Sequence, residues 1–498
     1  MGTVGLVDVA IARDDLVEAE QLLDQVANSD PDRESLQAAV LLLAGHITEA
    51  EAQARVGLKS TNSSGRRRAR RVRRRAARIR RELFEGATAP APLRPAPLRP
   101  VYRGSQSDSL RVLHVLKNSL PQVQAGYTIR TQEVIRAQQA AGINAQAVTR
   151  LGFPVAQGHL ANRIEVVSGV RYHRLLAAEG SDVAQFGRRI ANLARQEQTD
   201  VLHAATDHVN GRAALLAAHE LGCPMIYEVR GFLEDSWASR HGGDERAANT
   251  EWYTLARARE SEVMMAADAV ITLGPSMADE IRSRGVAAER VWIVPNAVND
   301  RFLTPPRESG SVREALGLPR ERTLVGAITT VHSFEGLGTL LAAVLMSREE
   351  GVDIEAVIVG HGPALGLLKR HFGEQGAIRW IDRVDVDAAI DWYDALDAVV
   401  IPREDYRVTR LVTPLKPVEA LARERLVIAS DLPALREATG GHARFVAPGD
   451  VEALAAELQL IDTHRALGRA GRAWVINERQ WSHVVTGYQD AYAFVSGR

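Results

Sequence analysis

Cysteine and lysine are almost missing from this chain. A single cysteine, Cys223, stands in 498 residues, which excludes an internal disulfide framework and any metal centre built from several thiolates. Lysine occurs only as Lys59, Lys117, Lys369 and Lys416 among 61 basic residues; the rest are arginine, a bias that fits a GC-rich genome better than a function. No apolar run approaches the roughly 20 residues that cross a bilayer. The opening "MGTVGLVDVAIARDD" lacks the basic start and long apolar centre of a secretion signal. The expected setting is therefore the cytoplasm, with peripheral contact at the inner membrane face left open. A net charge of −1 selects no class of partner by itself. What remains is a soluble globular composition, 46% hydrophobic and 25% charged, with enough length for two to four domains.

Residues 1–60 read as a small helical module. In "DDLVEAEQLLDQVANSDPD" the residues Leu16, Ala19, Leu22, Leu23 and Val26 share one helical face, and "SLQAAVLLLAGHITEAEAQA" follows an Asp-Pro turn. The pattern resembles one or two tetratricopeptide units, too few to be stable alone, so the module is expected to pack on something else. Oligomerisation through these helices is a further possibility. Residues 61–86 hold eleven arginines between Arg66 and Arg81 on a thin apolar stripe of Val72, Ala76, Ile79 and Leu83. The run reads either as a solvated helix or as a patch for an anionic membrane surface or an acidic protein. Interleaved aromatics are absent, which argues against nucleic acid. Residues 87–107, "ATAPAPLRPAPLRP" among them, read as a proline-rich linker.

Beyond the linker the rhythm changes to short apolar runs separated by helical patterns. "LRVLHVLKN", "NAQAVTR", "DVLHAAT", "PMIYEVRG" and "DAVITLG" form a first βαβ set; "TLVGAITTV", "IEAVIVGHG", "AIRWIDRV", "DAVVIPR" and "RLVIASD" form a second. The fold class is therefore α/β: two Rossmann-like domains, 108–295 and 296–475, facing a cleft, preceded by the all-α module. Ligands in such sheets bind beyond the carboxyl ends of the strands.

One apolar stretch beside that cleft carries a rare lysine: "LVTPLKPVEALA", residues 411–422. Pro417 suits the first turn of a helix, so Thr413, Pro414, Leu415 and Lys416 form a loop entering a helix N-terminus. Free amides, the helix dipole and an ammonium group together suit a phosphate or diphosphate, and Glu419 suits vicinal hydroxyls. The plainer alternative is that Thr413 or Lys416 caps the helix and Glu419 complements its dipole.

With "VLHVLKNSLPQVQAGYTIRT", "ADAVITLGPSMADEI", "VWIVPNAVN", "FEGLGTLLAAV", "VIVGHGP" and "VIASDLPALREA", the order of motifs from about 110 to 440 resembles the retaining, nucleotide-sugar-dependent glycosyltransferases of the GT-B fold. The terminal "QWSHVVTGYQDAY", within 476–498, resembles the helix that crosses back to the first domain. The resemblance implies a sugar donor carried on a nucleoside diphosphate (UDP rather than GDP), no metal and no other cofactor. It implies a saccharide, lipid-linked or small-molecule acceptor. Glu419 would hold the donor ribose, and Lys416, with the Leu415 amide, the diphosphate. Gly126 would let backbone approach the donor, and Gly360 and Gly362 would flank the nucleotide, or serve only as turns. Arg403 would face the cleft or be solvated. Departures are also visible. Thr330 and Glu335 stand where many relatives carry a basic pair, and Leu411 where they carry a first glutamate. Arg230 replaces a frequent histidine; it reads as a wall of the sugar site, or as an ion-pair partner of Glu228 or Glu234. Charge for the leaving diphosphate would then come from Lys416, helped by Arg403 or Arg407. His114, His203 and His208 read as structural, Asp385 and Asp387 as a loop, and "GFLEDSW" as an acceptor loop or as packing.

Overall fold

The computed structural model describes residues 2–83, 109–176, 182–373 and 376–497; the proline-rich stretch 87–107 lies outside them. The chain divides into two compact units. One gathers the N-terminal helices with Gly231–Ala266 and Tyr406–Val408, and the other holds both sheets.

In the first unit, α1 (Thr3–Ala12), α2 (Leu16–Asp24), α3 (Arg33–Leu43) and α4 (Ile47–Gly57) are followed by the 21-residue α5 (Ser63–Leu83). Asp15 caps α2 by accepting from the Glu18 amide at 3.0 Å, as a short acidic side chain at a helix start should. Ala69, Val72 and Ala76 of α5 pack on Ala38, Leu42, Ile47, Ala50 and Ala54, and Trp252 and Leu255 join the same core. Those two belong to the helix Glu251–Ala266, which supplies the packing partner that the module was expected to need. Residues 231–266, which lie in sequence within the expected first sheet domain, group by their contacts with the N-terminal helices, for a physical reason. Gly45 turns between α3 and α4 at φ +88°, and Trp237 and Thr250 pack so close to it that a Cβ would meet them at 2.8 and 3.0 Å. Trp237 also stacks on His241 (4.4 Å between centroids) and against Trp252 (4.5 Å). Thr48 donates through its amide and hydroxyl to Glu251 at 2.6 Å each. "GFLEDSW" is thus packing as far as Trp237 and the fully buried Phe232 are concerned.

In the second unit, one sheet comprises β1 (Arg111–Leu116), β2 (Asn144–Thr149), β3 (Ile164–Val167), β4 (Val170–Arg174), β5 (Val201–Ala205), β6 (Met225–Val229), β7 (Ala269–Thr272) and β8 (Val291–Ile293). Their order is β3-β4-β2-β1-β5-β6-β7-β8, parallel except for the β3–β4 hairpin. The other sheet comprises β9 (Thr323–Ile328), β10 (Ile354–Val359), β11 (Ile378–Ile381), β12 (Ala398–Ile401), β13 (Leu426–Ser430) and β14 (Arg444–Val446). It is parallel throughout, in the order β11-β10-β9-β12-β13-β14. The central strands are buried along their length, so they read as mainly apolar runs, with His203, Glu355 and Ser430 as buried polar exceptions. In each sheet the strand order reverses beside the first strand, between β1 and β5 and between β9 and β12, which is where an open α/β sheet forms its crevice.

The last helix, Trp481–Ser496, buries Trp481, Val484, Tyr488, Ala491, Tyr492 and Val495 in the core of the first sheet. That spacing is one face of an α-helix, and the crossing back expected for 476–498 follows from it.

Candidate functional site

The helix Lys416–Ala422 opens with Lys416 and Pro417 and has no side-chain cap; it is seven residues long. Its dipole is correspondingly short, so the formal charge of Lys416 outweighs it. Lys416 Nζ donates to Glu419 Oε2 at 3.0 Å, one helical turn away. The same oxygen accepts from the Tyr393 hydroxyl at 2.9 Å. Burial, and then the charge of Glu419, raise the Tyr393 pKa well above its ordinary value, so this hydroxyl stays a donor. Glu419 is 7% exposed, whereas the Lys416 side chain is 38% exposed. The carboxylate is thus a fixed, buried acceptor, and the ammonium is half free. Tyr393, 26 residues upstream, is a site residue that the sequence reading missed.

Lys416 and Pro414 line one cavity with Ala327, Ile328 and Thr329 at the end of β9 and Val399 to Pro402 at the end of β12. This is the reversal point of the second sheet. Glu335 lines it too, but not as an open charge. Arg403 donates to Glu335 Oε1 at 2.8 Å and to the Val412 carbonyl at 3.2 Å, and both side chains are 11% exposed. The acid at a usually basic position is therefore matched by a base from β12's loop. Arg407 belongs to the other unit, where its backbone N–H donates to Asp244 at 2.6 Å and its guanidinium lies 3.3 Å from Asp235. Thr330 is exposed at the end of β9, and Leu411 ends a short helix, Arg407–Leu411.

Gly360 and Gly362 sit where a side chain would strike backbone. A Cβ on Gly360 (φ +143°) would lie 1.9 Å from the Thr329 carbonyl oxygen, and one on Gly362 2.4 Å from that of Val331. Both glycines are demanded by the close approach of the β9 and β10 loops. Gly126 differs: it begins the helix Gly126–Ala140, and a Cβ there would meet nothing within 4 Å.

A second cavity is lined by Gly274, Pro275, Pro295, Asn296, Thr413, Pro414, Glu437 and Arg479, among others. Asn296 donates to the Thr413 carbonyl at 3.0 Å, which ties the strand-end loop of β8 to the "LVTPLKP" segment. Thr413 therefore fixes the loop through its backbone. Glu437 accepts from the Ser276 amide at 2.8 Å.

Arg230 follows β6 and is 8% exposed at its side chain. Its guanidinium donates to Glu228 Oε2 at 2.5 Å, to Thr131 Oγ1 at 2.5 Å and to the Tyr127 carbonyl at 3.1 Å. Of the two carboxylates considered for it, Glu228 is the partner. Glu228 is fully buried and also accepts from Arg130 (3.0 and 3.1 Å) and from the Tyr488 hydroxyl (2.8 Å). Although burial alone would raise its pKa, Arg230 and Arg130 hold it well below the usual carboxylate range. Arg130 donates onward to the Val294 and Pro295 carbonyls and to Asn296 Oδ1. One buried carboxylate thereby joins the Gly126–Ala140 helix, β6, the β8 loop and the last helix. Arg130 and Tyr488 were missed, since separations of 98 and 260 residues leave no local signal.

His114 and His203 stack at 4.4 Å, bonded to Gln138 and Tyr492 at 2.8 and 2.7 Å. Burial lowers both pKa values, so they are neutral packing residues, as expected. His208 opens the helix His208–Leu221 behind its cap, Asp207. Asp385 caps the helix Val386–Ala395, and Asp387 pairs with Arg301 at 2.6 Å. At the first sheet's reversal point, Asp207 pairs with Arg150 and lies 3.8 Å from Lys117, a cluster the sequence reading did not single out.

Residues 125–302 match the family model of glycosyltransferase family 4, and residues 322–462 that of glycosyl transferases group 1. The chain aligns at 28% identity over 208 residues with D-inositol 3-phosphate glycosyltransferase 2 of Catenulispora acidiphila, which is 39% of this chain and 47% of that protein. It thus spans about half the length of that curated relative. Among solved structures, sucrose-phosphate synthase from Thermosynechococcus elongatus superposes with a TM-score of 0.63 at 18% identity, covering 77% of this chain and 98% of the other. Anabaena HepE, solved in complex with UDP-glucose, superposes with a TM-score of 0.58 at 14% identity, covering 78% and 100%. At such identities these two structures speak for the fold, which is GT-B.

Proposed function

The chain belongs to the GT-B glycosyltransferases, a family 4 domain followed by a group 1 domain, and we propose that it moves a sugar from a nucleoside diphosphate to an acceptor hydroxyl with retention at the anomeric carbon. The bond that breaks joins the anomeric carbon to the diphosphate, and its electron pair leaves with the diphosphate. The largest change in charge is therefore at the phosphates, where a fixed cation helps most. The observation that carries this reading is the triad at the reversal point of the second sheet: buried Glu419, held by Tyr393, with the more exposed Lys416 beside it.

In this proposal Glu419 receives the donor ribose hydroxyls and Lys416 the diphosphate, with Thr413, Pro414 and Leu415 shaping the loop. Gly126 contributes room for a close approach of backbone to the donor. Gly360, Gly362 and Thr330 form the wall around the nucleotide. Arg403 neutralises Glu335, and Arg230 positions the Gly126–Ala140 helix through Thr131 and the Tyr127 carbonyl. The step uses no metal or other cofactor. The donor is a UDP-sugar, as in the HepE complex, and the acceptor is a saccharide, a lipid-linked sugar or a small hydroxyl compound. Among the described residues no helix is long and apolar enough to cross a membrane; the proposed setting is the cytoplasm, with peripheral membrane contact.

A panel of UDP-, GDP- and ADP-sugars tested for thermal stabilisation identifies the donor, and turnover with that donor then tests the clamp. Lys416→Ala is expected to lower kcat about 10²- to 10³-fold, the loss typical for removing one stabiliser of developing charge, with unfolding unchanged. Wild-type turnover in that variant would reject the assignment. Failure of every nucleotide sugar to stabilise the protein would favour a non-catalytic scaffold.

A further inference from the structure

The arginine-rich helix α5 sorts its charges. Arg68 is buried and donates to Asp8 (2.8 and 2.5 Å) and to Ser35 (2.8 Å). Arg66 donates to the Ser60 and Thr61 carbonyls, and Arg80 to Thr48 and Glu51. Those three are used to hold the module together. The other eight, Arg67, Arg70, Arg71, Arg73, Arg74, Arg75, Arg78 and Arg81, are exposed, and none has a hydrogen bond or ion pair among the described residues. Elsewhere exposed arginines such as Arg240, Arg320 and Arg436 are matched by carboxylates, and unmatched ones such as Arg188, Arg189 and Arg469 stand singly or in pairs rather than in a row.

Geometry concentrates this charge. At 100° per residue, Arg67, Arg70, Arg71, Arg74, Arg78 and Arg81 fall within an arc of about 100°, and they run about 21 Å along the helix at 1.5 Å per residue. Like charges three and four residues apart disfavour an isolated helix. This helix holds because its opposite face, Ala69, Val72 and Ala76, is buried on α3 and α4. The module therefore keeps a one-sided row of exposed guanidinium groups that have no ion pair among the described residues.

We propose that this row is a docking face for an anionic membrane surface. A plane of lipid phosphates meets every arginine of a straight row at the same depth. The outward face of 66–81 holds no aromatic, Asn, Gln, Ser or Thr residue to stack on bases or read their edges. No large apolar side chain accompanies the row, so the helix adsorbs by charge without inserting, and attachment is reversible and salt-dependent. The inference rests on α5 alone and stands apart from the assignment of the donor site.

The test uses the full chain in co-sedimentation with vesicles of phosphatidylcholine alone or with 30% phosphatidylglycerol (~30%, in the range of anionic leaflets). Binding is expected only to the anionic vesicles and is expected to weaken at least about tenfold on going from 50 to 300 mM NaCl (about 50 and 300 mM, chosen to shorten the screening length). The quadruple variant Arg70→Gln, Arg71→Gln, Arg74→Gln, Arg78→Gln should lose at least about tenfold in binding, each arginine near such a surface being worth about fivefold. Because none of the four has a partner among the described residues, its thermal midpoint should be unchanged or higher. Equal binding to both vesicles, a variant that binds like wild type, or displacement from vesicles by equimolar duplex DNA would each overturn the proposal, the last in favour of nucleic acid.

Discussion

Glu228→Ala is the most demanding perturbation that the structure suggests. The carboxylate is fully buried, and four donors from three elements converge on it: Arg130 Nε and Nη2, Arg230 Nη2 and the Tyr488 hydroxyl. Removing it leaves two guanidinium groups in a space from which water is excluded. Arg130 keeps four other acceptors and Arg230 two, so neither is stripped completely. The loss is therefore that of breaking one buried ion pair from one side, about 3–5 kcal/mol, against a total stability of the order of 5–15 kcal/mol. Glu228→Gln keeps the shape and one acceptor oxygen and should lose less. Urea denaturation followed by tryptophan fluorescence reads both, and hydrogen exchange of Trp481–Ser496 reads the effect locally, because Tyr488 loses its acceptor. A Glu228→Ala protein within about 0.5 kcal/mol of wild type, the range of ordinary surface substitutions, would refute the view that this carboxylate joins the elements.

Acid should act on the same network in a defined order. Native His114 and His203 have lowered pKa values, so the unfolded chain binds their protons first and stability falls as pH drops below about 6.5. Glu228, also lowered, adds its loss as pH falls below about 4.5; Glu228→Gln should flatten that second part of a midpoint-against-pH curve and, by removing a charge that raises both histidines, steepen the first. Gly360→Ala should lower Tm sharply because of the 1.9 Å approach and positive φ, whereas Gly126→Ala should leave Tm in place and weaken donor binding in a titration. Tyr393→Phe removes one buried hydrogen bond to a charged group and should cost about 1.5–3 kcal/mol while raising the donor KM. Arg403→Gln strands buried Glu335 and should destabilise by about 3–5 kcal/mol; the double change with Glu335→Gln should recover most of that loss in thermal unfolding.

Much of the fold was legible because parallel strands buried on both faces appear as mainly apolar runs; β1, β5, β10 and β13 show this, each with no more than two polar residues. The strands that escaped were short or at edges: β8 and β14 have three residues each, below the length at which periodicity speaks. The β3–β4 hairpin turns through Ser168 and Gly169, both at positive φ, and its Ser-Gly pair between apolar runs was a usable turn signal. In the site, Lys416 and Glu419 were legible together because three residues apart on a helix means adjacent. Tyr393 was not, since it reaches Glu419 from another helix. The Glu335–Arg403 pair was half legible. An acid in a usually basic position beside a cleft calls for a compensating base, and Arg403 was in view, but only as a helper for phosphate.

Energetics separate these two cations. To take a diphosphate, Lys416 has to exchange its bond to Glu419. That pair is more than a third exposed on the lysine side, so its contribution is of the order of 0–1 kcal/mol, and a phosphate oxygen easily replaces it. Arg403 would have to leave Glu335 in a pair that is 11% exposed on both sides, and abandoning a buried carboxylate costs several kcal/mol. A ligand that drew Arg403 away would spend most of its binding energy on the separation. In the proposed site the exposed lysine is the cation that can follow charge onto the leaving diphosphate, and the arginine with more potential donors is the one the fold keeps for itself. By the same reasoning Glu419, released by Lys416 but still held by Tyr393, does not lose all support when the lysine moves. In that proposal its second oxygen would stay available for ribose hydroxyls when the diphosphate takes the ammonium.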